Sequence, residues 1–193
     1  MKRREAIRQA SLLLGYTISA PAIIGVLNGC KPEPKLKYDG SWTPQFFQKN
    51  KLNDIAAIVD TIIPKTNTPA ASEVGVVEFL DSMYDTILKQ EEKQLFTDGL
   101  NQLSNITDGK PFESLSIKER NNAISKLEKE QLPLLKNMHP NSIFYTAFRG
   151  LVVTGYMLSE KIGTEFLAYD PVPGMYAGCV PLAENGGVNW SLN

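Results

Sequence analysis

Histidine is almost absent from this 193-residue chain, where His139 stands alone. A single imidazole leaves little room for histidine-based acid–base catalysis or for the commonest metal-ligand chemistry. Cysteine is nearly as scarce, with only Cys30 and Cys179. Two thiols build neither a disulfide-stapled scaffold nor a four-thiolate zinc site. An excess of either charge is also missing, since 20 Lys plus Arg stand against 21 Asp plus Glu. Grip on a phosphate backbone needs clustered Lys and Arg, so a polybasic nucleic-acid binder is excluded. No alternating strand pattern is found that would make a hairpin signal of an Asn-Gly pair, and no internal repeat is evident. The stretch Gly174-Met175-Tyr176-Ala177-Gly178 lacks the third glycine and the strand–turn–helix context of a phosphate loop, and there is no Gly-x-Ser-x-Gly elbow. What remains is a 42 % apolar chain of single-domain length, on which no catalytic, cofactor-binding or metal-ligating residue is expected.

Positive charge gathers at the N-terminus, in Met1-Lys2-Arg3-Arg4-Glu5-Ala6-Ile7-Arg8. Leu12 to Leu27 follow without a charge, broken by Gly15, Pro21 and Gly25, and fall short of the roughly 20 apolar residues of a stable membrane span. A basic region, an apolar region and small residues before a cleavage point are the parts of an export signal. Arg3-Arg4 resembles the pair of a twin-arginine signal, a route for folded cargo. Lys2 and Ala6 stand where that pattern favours Ser or Thr and Phe, so the general secretory route stays open. Leu27-Asn28-Gly29-Cys30 resembles a bacterial lipobox, which would make Cys30 a lipidated residue. The alternative is an uncleaved N-terminal helix with an incidental cysteine. The expected division is a signal over 1–29, a polar, proline-bearing tether over 30–42 and a domain over 43–193. The protein is expected to be exported, periplasmic and membrane-anchored through lipid.

The domain reads as all-α, one compact unit of four to six helices. Thr43-Pro44 has the form of a helix start, a capping hydroxyl followed by proline. Leu52, Ile55, Ala56, Val59, Ile62 and Ile63 repeat at three- and four-residue spacing up to Pro64. A second helix is expected to carry Val76, Val77, Leu80, Tyr84, Ile87 and Leu88, and a third, from about Glu91, to carry Leu95, Phe96, Leu100 and Leu103. Glu91-Glu92 reads as solubility charge. Ser116-Ile117-Lys118-Glu119 is a capping box that opens a helix. Another is expected from about Asn141, with Arg149 inside its apolar run, either a snorkelling side chain or one half of a buried ion pair. His139 reads as a surface or capping residue.

From Gly163 onward the chain holds Pro171, Pro173, Gly174, Gly178, Pro181, Gly186 and Gly187, with Tyr169, Tyr176 and Trp190 among them. Such a stretch is expected to leave helix, while its aromatics want burial against the body or another subunit. With Cys30 lipidated, Cys179 has no partner in its own chain, and is either bridged to another protein or a buried free thiol.

Phe46-Phe47, Ile62-Ile63-Pro64, Thr66-x-Thr68-Pro69-Ala70-Ala71 and Gly75 to Asp81, then Leu95-Phe96, Gly109-Lys110-Pro111-Phe112 and Leu115-Ser116, come in an order that resembles the gluconate 2-dehydrogenase subunit 3 family. Most specific are Thr154-Gly155-Tyr156 with Ser159, and Tyr169-Asp170-Pro171-Val172-Pro173-Gly174-Met175-Tyr176-x-Gly178-Cys179. The resemblance implies a non-catalytic small subunit. Its partner would be a large FAD-dependent dehydrogenase of the glucose–methanol–choline type, acting on a sugar, sugar acid or alcohol, often with a cytochrome c subunit carrying haem. The small subunit would escort, stabilise and anchor that flavoprotein. A partner interface is expected at Arg149, Tyr156, Tyr169, Asp170, Pro171, Pro173, Gly174, Tyr176 and Cys179. The alternative is a free-standing periplasmic lipoprotein that binds a small ligand.

Overall fold

The periodic stretches become helices. The computed structural model describes residues 42–138, 143–170, 174 and 179–191, all within one compact unit, Leu36–Asn193. Arg3, Arg4, Cys30, His139, Pro171, Pro173 and Tyr176 lie outside the described residues. Six α-helices are found among those described: α1 Leu52–Ile62, α2 Val76–Ser82, α3 Gln90–Ile106, α4 Ile117–Gln131, α5 Phe144–Met157 and α6 Glu160–Glu165. The domain is all-α as expected, and the nearest thing to a strand is one isolated parallel bridge, Ala168 to Trp190. No described helix is long and apolar enough to cross a membrane.

Each helix follows from its apolar spacing. Helix α1 buries Leu52, Ile55, Ala56, Ile58 and Val59, and Pro64, which has no N–H to continue it, follows two residues past its end. Helix α2 is prolonged by a π-helical turn, Met83–Ile87, and Val76, Val77, Leu80 and Tyr84 are all buried. Helix α4 starts at the capping box, where the Ser116 N–H donates to Glu119 Oε2 at 2.9 Å and the Glu119 N–H donates to Ser116 Oγ at 3.4 Å. Helix α5 packs against α1, α2, α3, α4 and α6 and forms the centre of the domain.

Two glycines make this packing possible. A Cβ at Gly99 of α3 would overlap the Phe144 ring of α5, and one at Gly155 of α5 would overlap the Phe79 ring of α2. The Gly155 of the Thr154-Gly155-Tyr156 motif thus marks a close approach of helices. Around Phe144 the core is aromatic: Phe46, Phe47, Tyr84, Phe96 and Phe148 form a chain of ring contacts, the tightest being Tyr84 to Phe96 at 4.4 Å between centroids.

Three boundaries differ from expectation. Thr43-Pro44 does not start a helix; the chain bends through 42–47, makes a 3-10 turn at Lys49–Lys51, and α1 begins only at Leu52. The reason is Asp81, whose carboxylate accepts the backbone N–H groups of Gln45, Phe46 and Phe47 at 2.8, 3.0 and 2.7 Å. This holds the segment open and lays both phenylalanines against the core. The helix expected from about Asn141 starts at Phe144. Gly163 does not end helical structure, because α6 runs through it with the glycine buried; an interior glycine costs only about 1 kcal/mol relative to alanine.

Candidate functional site

The C-terminal segment is fixed by its backbone and open in its side chains. Phe166 and Leu167 still pack on the core. The Ala168 N–H then donates to the Asn189 carbonyl at 2.9 Å, and the Ser191 N–H donates to the Ala168 carbonyl at 2.8 Å, which makes the parallel bridge. A 3-10 turn, Leu182–Asn185, closes on Gly186 in a left-handed conformation. Tyr169 and Trp190, whose rings are expected to be covered by the body or by another subunit, are not covered by the body: they are 45 % and 47 % exposed, and Leu182 is 54 % exposed. The aromatic core of the body is already filled by its own rings, so these side chains find no place in it. Rings and aliphatic groups held half out of the fold on an ordered backbone are what an association surface looks like.

The residues expected at an interface divide into two groups. Tyr169, Asp170, Gly174 and Cys179 are exposed. Exposure of Cys179 removes the buried-thiol alternative. Arg149 is also exposed, but it belongs to the seam between α4 and α5. Its guanidinium lies 3.7 Å from the Glu128 carboxylate and 5.7 Å from the centre of the Tyr145 ring, so its ion pair is a surface one rather than a buried one. Burial, with the Glu128 charge next, raises the Tyr145 pKa. Tyr156 is turned inward: it is buried and its hydroxyl donates to the Pro69 carbonyl at 2.9 Å. It therefore fastens the Thr66–Ala71 loop to α5 and offers almost no surface to a partner.

Several polar groups escaped the sequence reading, and most of them hold non-helical chain or helix ends in place. Besides Asp81, Asp60 of α1 accepts the Ser72 N–H and the Ser72 hydroxyl, both at 2.8 Å; burial raises its pKa against the opposing pull of those two bonds. Glu73 accepts the Ala70 N–H at 3.0 Å and the Lys65 ammonium at 2.6 Å. The Lys65 bond, then the Ala70 bond, lower its pKa. Gln131 at the end of α4 accepts the Tyr145 N–H at 2.7 Å and donates to Gln102 at 2.7 Å, joining α3, α4 and α5. Glu92 is more than solubility charge, because it accepts the Lys89 N–H at 2.9 Å and caps α3. The signal for Asp81 was a carboxylate at the spacing of the apolar face formed by Val77, Leu80 and Tyr84. No group of three or more His, Cys, Asp or Glu side chains that could hold a metal ion occurs among the described residues.

The family model described as gluconate 2-dehydrogenase subunit 3 matches residues 49–174. The chain belongs to that family. The family is one of accessory subunits of a dehydrogenase complex. The match opens at the turn before α1 and takes in all six described helices. Leu182, Val188 and Trp190 lie beyond it. No curated protein and no solved structure matches the chain.

Proposed function

We propose that this chain is the non-catalytic small subunit of a membrane-associated, FAD-dependent dehydrogenase of the glucose–methanol–choline type. In this reading it escorts the flavoprotein through export, stabilises it and anchors it. The large subunit carries FAD and oxidises a sugar, sugar acid or alcohol; a cytochrome c subunit takes the electrons onto haem. The N-terminal signal with Arg3-Arg4 supplies the address and lipid on Cys30 the anchor. Family membership supports the link to a dehydrogenase complex. The observation that carries the reading is the C-terminal surface, where Tyr169, Leu182 and Trp190 are half exposed on a backbone fixed by the Ala168 bridge. Ordered aromatic side chains of this kind anchor protein interfaces, because they bring large apolar area at small entropic cost.

The test is affinity purification of the tagged full chain from detergent-solubilised membranes of its own host, with mass spectrometry and an absorbance scan of the eluate. The expected result is a stoichiometric, yellow, FAD-containing oxidoreductase. A colourless monomer overturns the reading.

A further inference from the structure

Between α3, the π-helical turn and α5 lies a pocket of about 290 Å³ that the accessory-subunit reading does not use. Leu88, Leu95, Ala147 and Leu151 line its walls, with Phe96 and Phe144 behind them. The polar side chains on its lining are those of Tyr84, Glu92, Thr146 and Thr154, and the Glu92 charge acts on the Tyr84 hydroxyl. An apolar cavity with a small number of placed polar groups is the pattern of a small-molecule site.

Tyr84 is the informative residue. It is only 3 % exposed, and its ring is held between Phe46, stacked at 5.3 Å, and Phe96 at 4.4 Å. The hydroxyl therefore cannot swing away to another partner. Yet it makes no hydrogen bond among the described residues, where Glu78 Oε2 is the only sealed, unpartnered side-chain oxygen. The unbonded hydroxyl is therefore not sealed off, and its residue lines the pocket. Phenylalanine would fill the aromatic cluster equally well, so packing does not account for this oxygen. Burial, and next the Glu92 charge, raise the Tyr84 pKa, so it remains a neutral donor. Glu92 is held in register by the bond from the Lys89 N–H to its Oε2, which leaves its other oxygen to accept. At the mouth, Gly150 of α5 is exposed, and a Cβ there would meet nothing within 4 Å. An interior helical glycine is disfavoured, and no close packing demands one here.

We propose that this pocket binds a small, uncharged, phenol-like molecule, an apolar ring whose single hydroxyl accepts from the Tyr84 O–H and donates to the Glu92 carboxylate. A free carboxylate on the ligand would be repelled by Glu92 and is excluded by the same geometry. The proposal is independent of the flavoprotein partner, since it concerns a pocket built by this chain alone.

The test uses the full-length, detergent-solubilised protein with p-cresol as probe, and toluene and p-hydroxybenzoate as controls, by saturation-transfer NMR titration. Binding of p-cresol is expected to be about 5- to 10-fold tighter than that of toluene, the worth of one hydrogen bond, and p-hydroxybenzoate is expected not to bind. Tyr84→Phe, which keeps the ring, removes the advantage of p-cresol over toluene. Gly150→Leu fills the mouth and abolishes binding of both while leaving the melting temperature unchanged or raised. No binding of p-cresol to the wild type overturns the proposal. So does equal binding of p-cresol and toluene, and so does binding that survives Gly150→Leu.

Discussion

In the helical body, chain that is not helix is held by side chains reaching in from helices. Asp81 takes three amides of residues 45–47, Asp60 takes Ser72, and Tyr156 takes the Pro69 carbonyl. In the C-terminal segment a backbone bridge ties Ala168 to the chain around Trp190, and the rings of Tyr169 and Trp190 stay half outside. The body uses these polar side chains to fix its own loops and keeps its described aromatic rings buried or half-buried, although aliphatic groups such as Ile87 and Ile117 stay exposed. The C-terminal segment has kept apolar area in reserve. The difference is one of stability on the body side, because unsatisfied polar groups are costly inside, and on the C-terminal side it is what the proposed association would use, because ordered apolar area is useful outside.

Substitutions can break the comparison from the body side first. Asp81→Ala leaves three amides without their acceptor at the edge of the aromatic core, and should cost about 2–4 kcal/mol in a urea unfolding curve. Gly155→Ala pushes a methyl into the Phe79 ring and should cost about 1–3 kcal/mol by the same measurement. Tyr156→Phe removes one buried bond and leaves the Pro69 carbonyl unpaired, for about 1–2 kcal/mol.

A smaller effect sharpens the picture through pH. The Ser116 hydroxyl, then the Ser116 N–H, hold Glu119 below the ordinary glutamate pKa. A depressed pKa stabilises the fold above the ordinary value, and that gain is lost as pH falls through the folded pKa. The melting-temperature gap between wild type and Glu119→Gln at pH 7 should therefore close between about pH 5 and pH 3. Asp60 has the opposite sign: its raised pKa means a contribution present in acid and lost as pH rises, so Asp60→Asn should gain on the wild type over the same interval read upward.

Local rules carried the helices. The Ser116–Glu119 box and the three- and four-residue spacing of α1, α3 and α4 involve neighbours in the chain, and periodicity reads them directly. The family was legible because its motifs include residues with a packing reason, such as Gly155 against Phe79. What escaped was set at a distance. Thr43-Pro44 carried a start signal, but a carboxylate 34 to 36 residues away decided that segment. Glu92 looked like one of a pair of surface charges until its bond to the Lys89 N–H showed it to be a cap. The rule that aromatics seek burial left open whether the body or another subunit covers Trp190, and that choice depends on the core having already been filled.

The central claim is that the C-terminal face serves association and not folding. Its most direct test is to purify the full chain from host membranes as wild type and as Trp190→Ala, measuring flavin per subunit in each eluate and the melting temperature of each isolated chain. The account predicts that Trp190→Ala changes unfolding by less than about 0.5 kcal/mol while flavin recovery falls at least about tenfold, as for an interface anchor. Unchanged flavin recovery with a lowered melting temperature would contradict it, and would make Trp190 part of the fold.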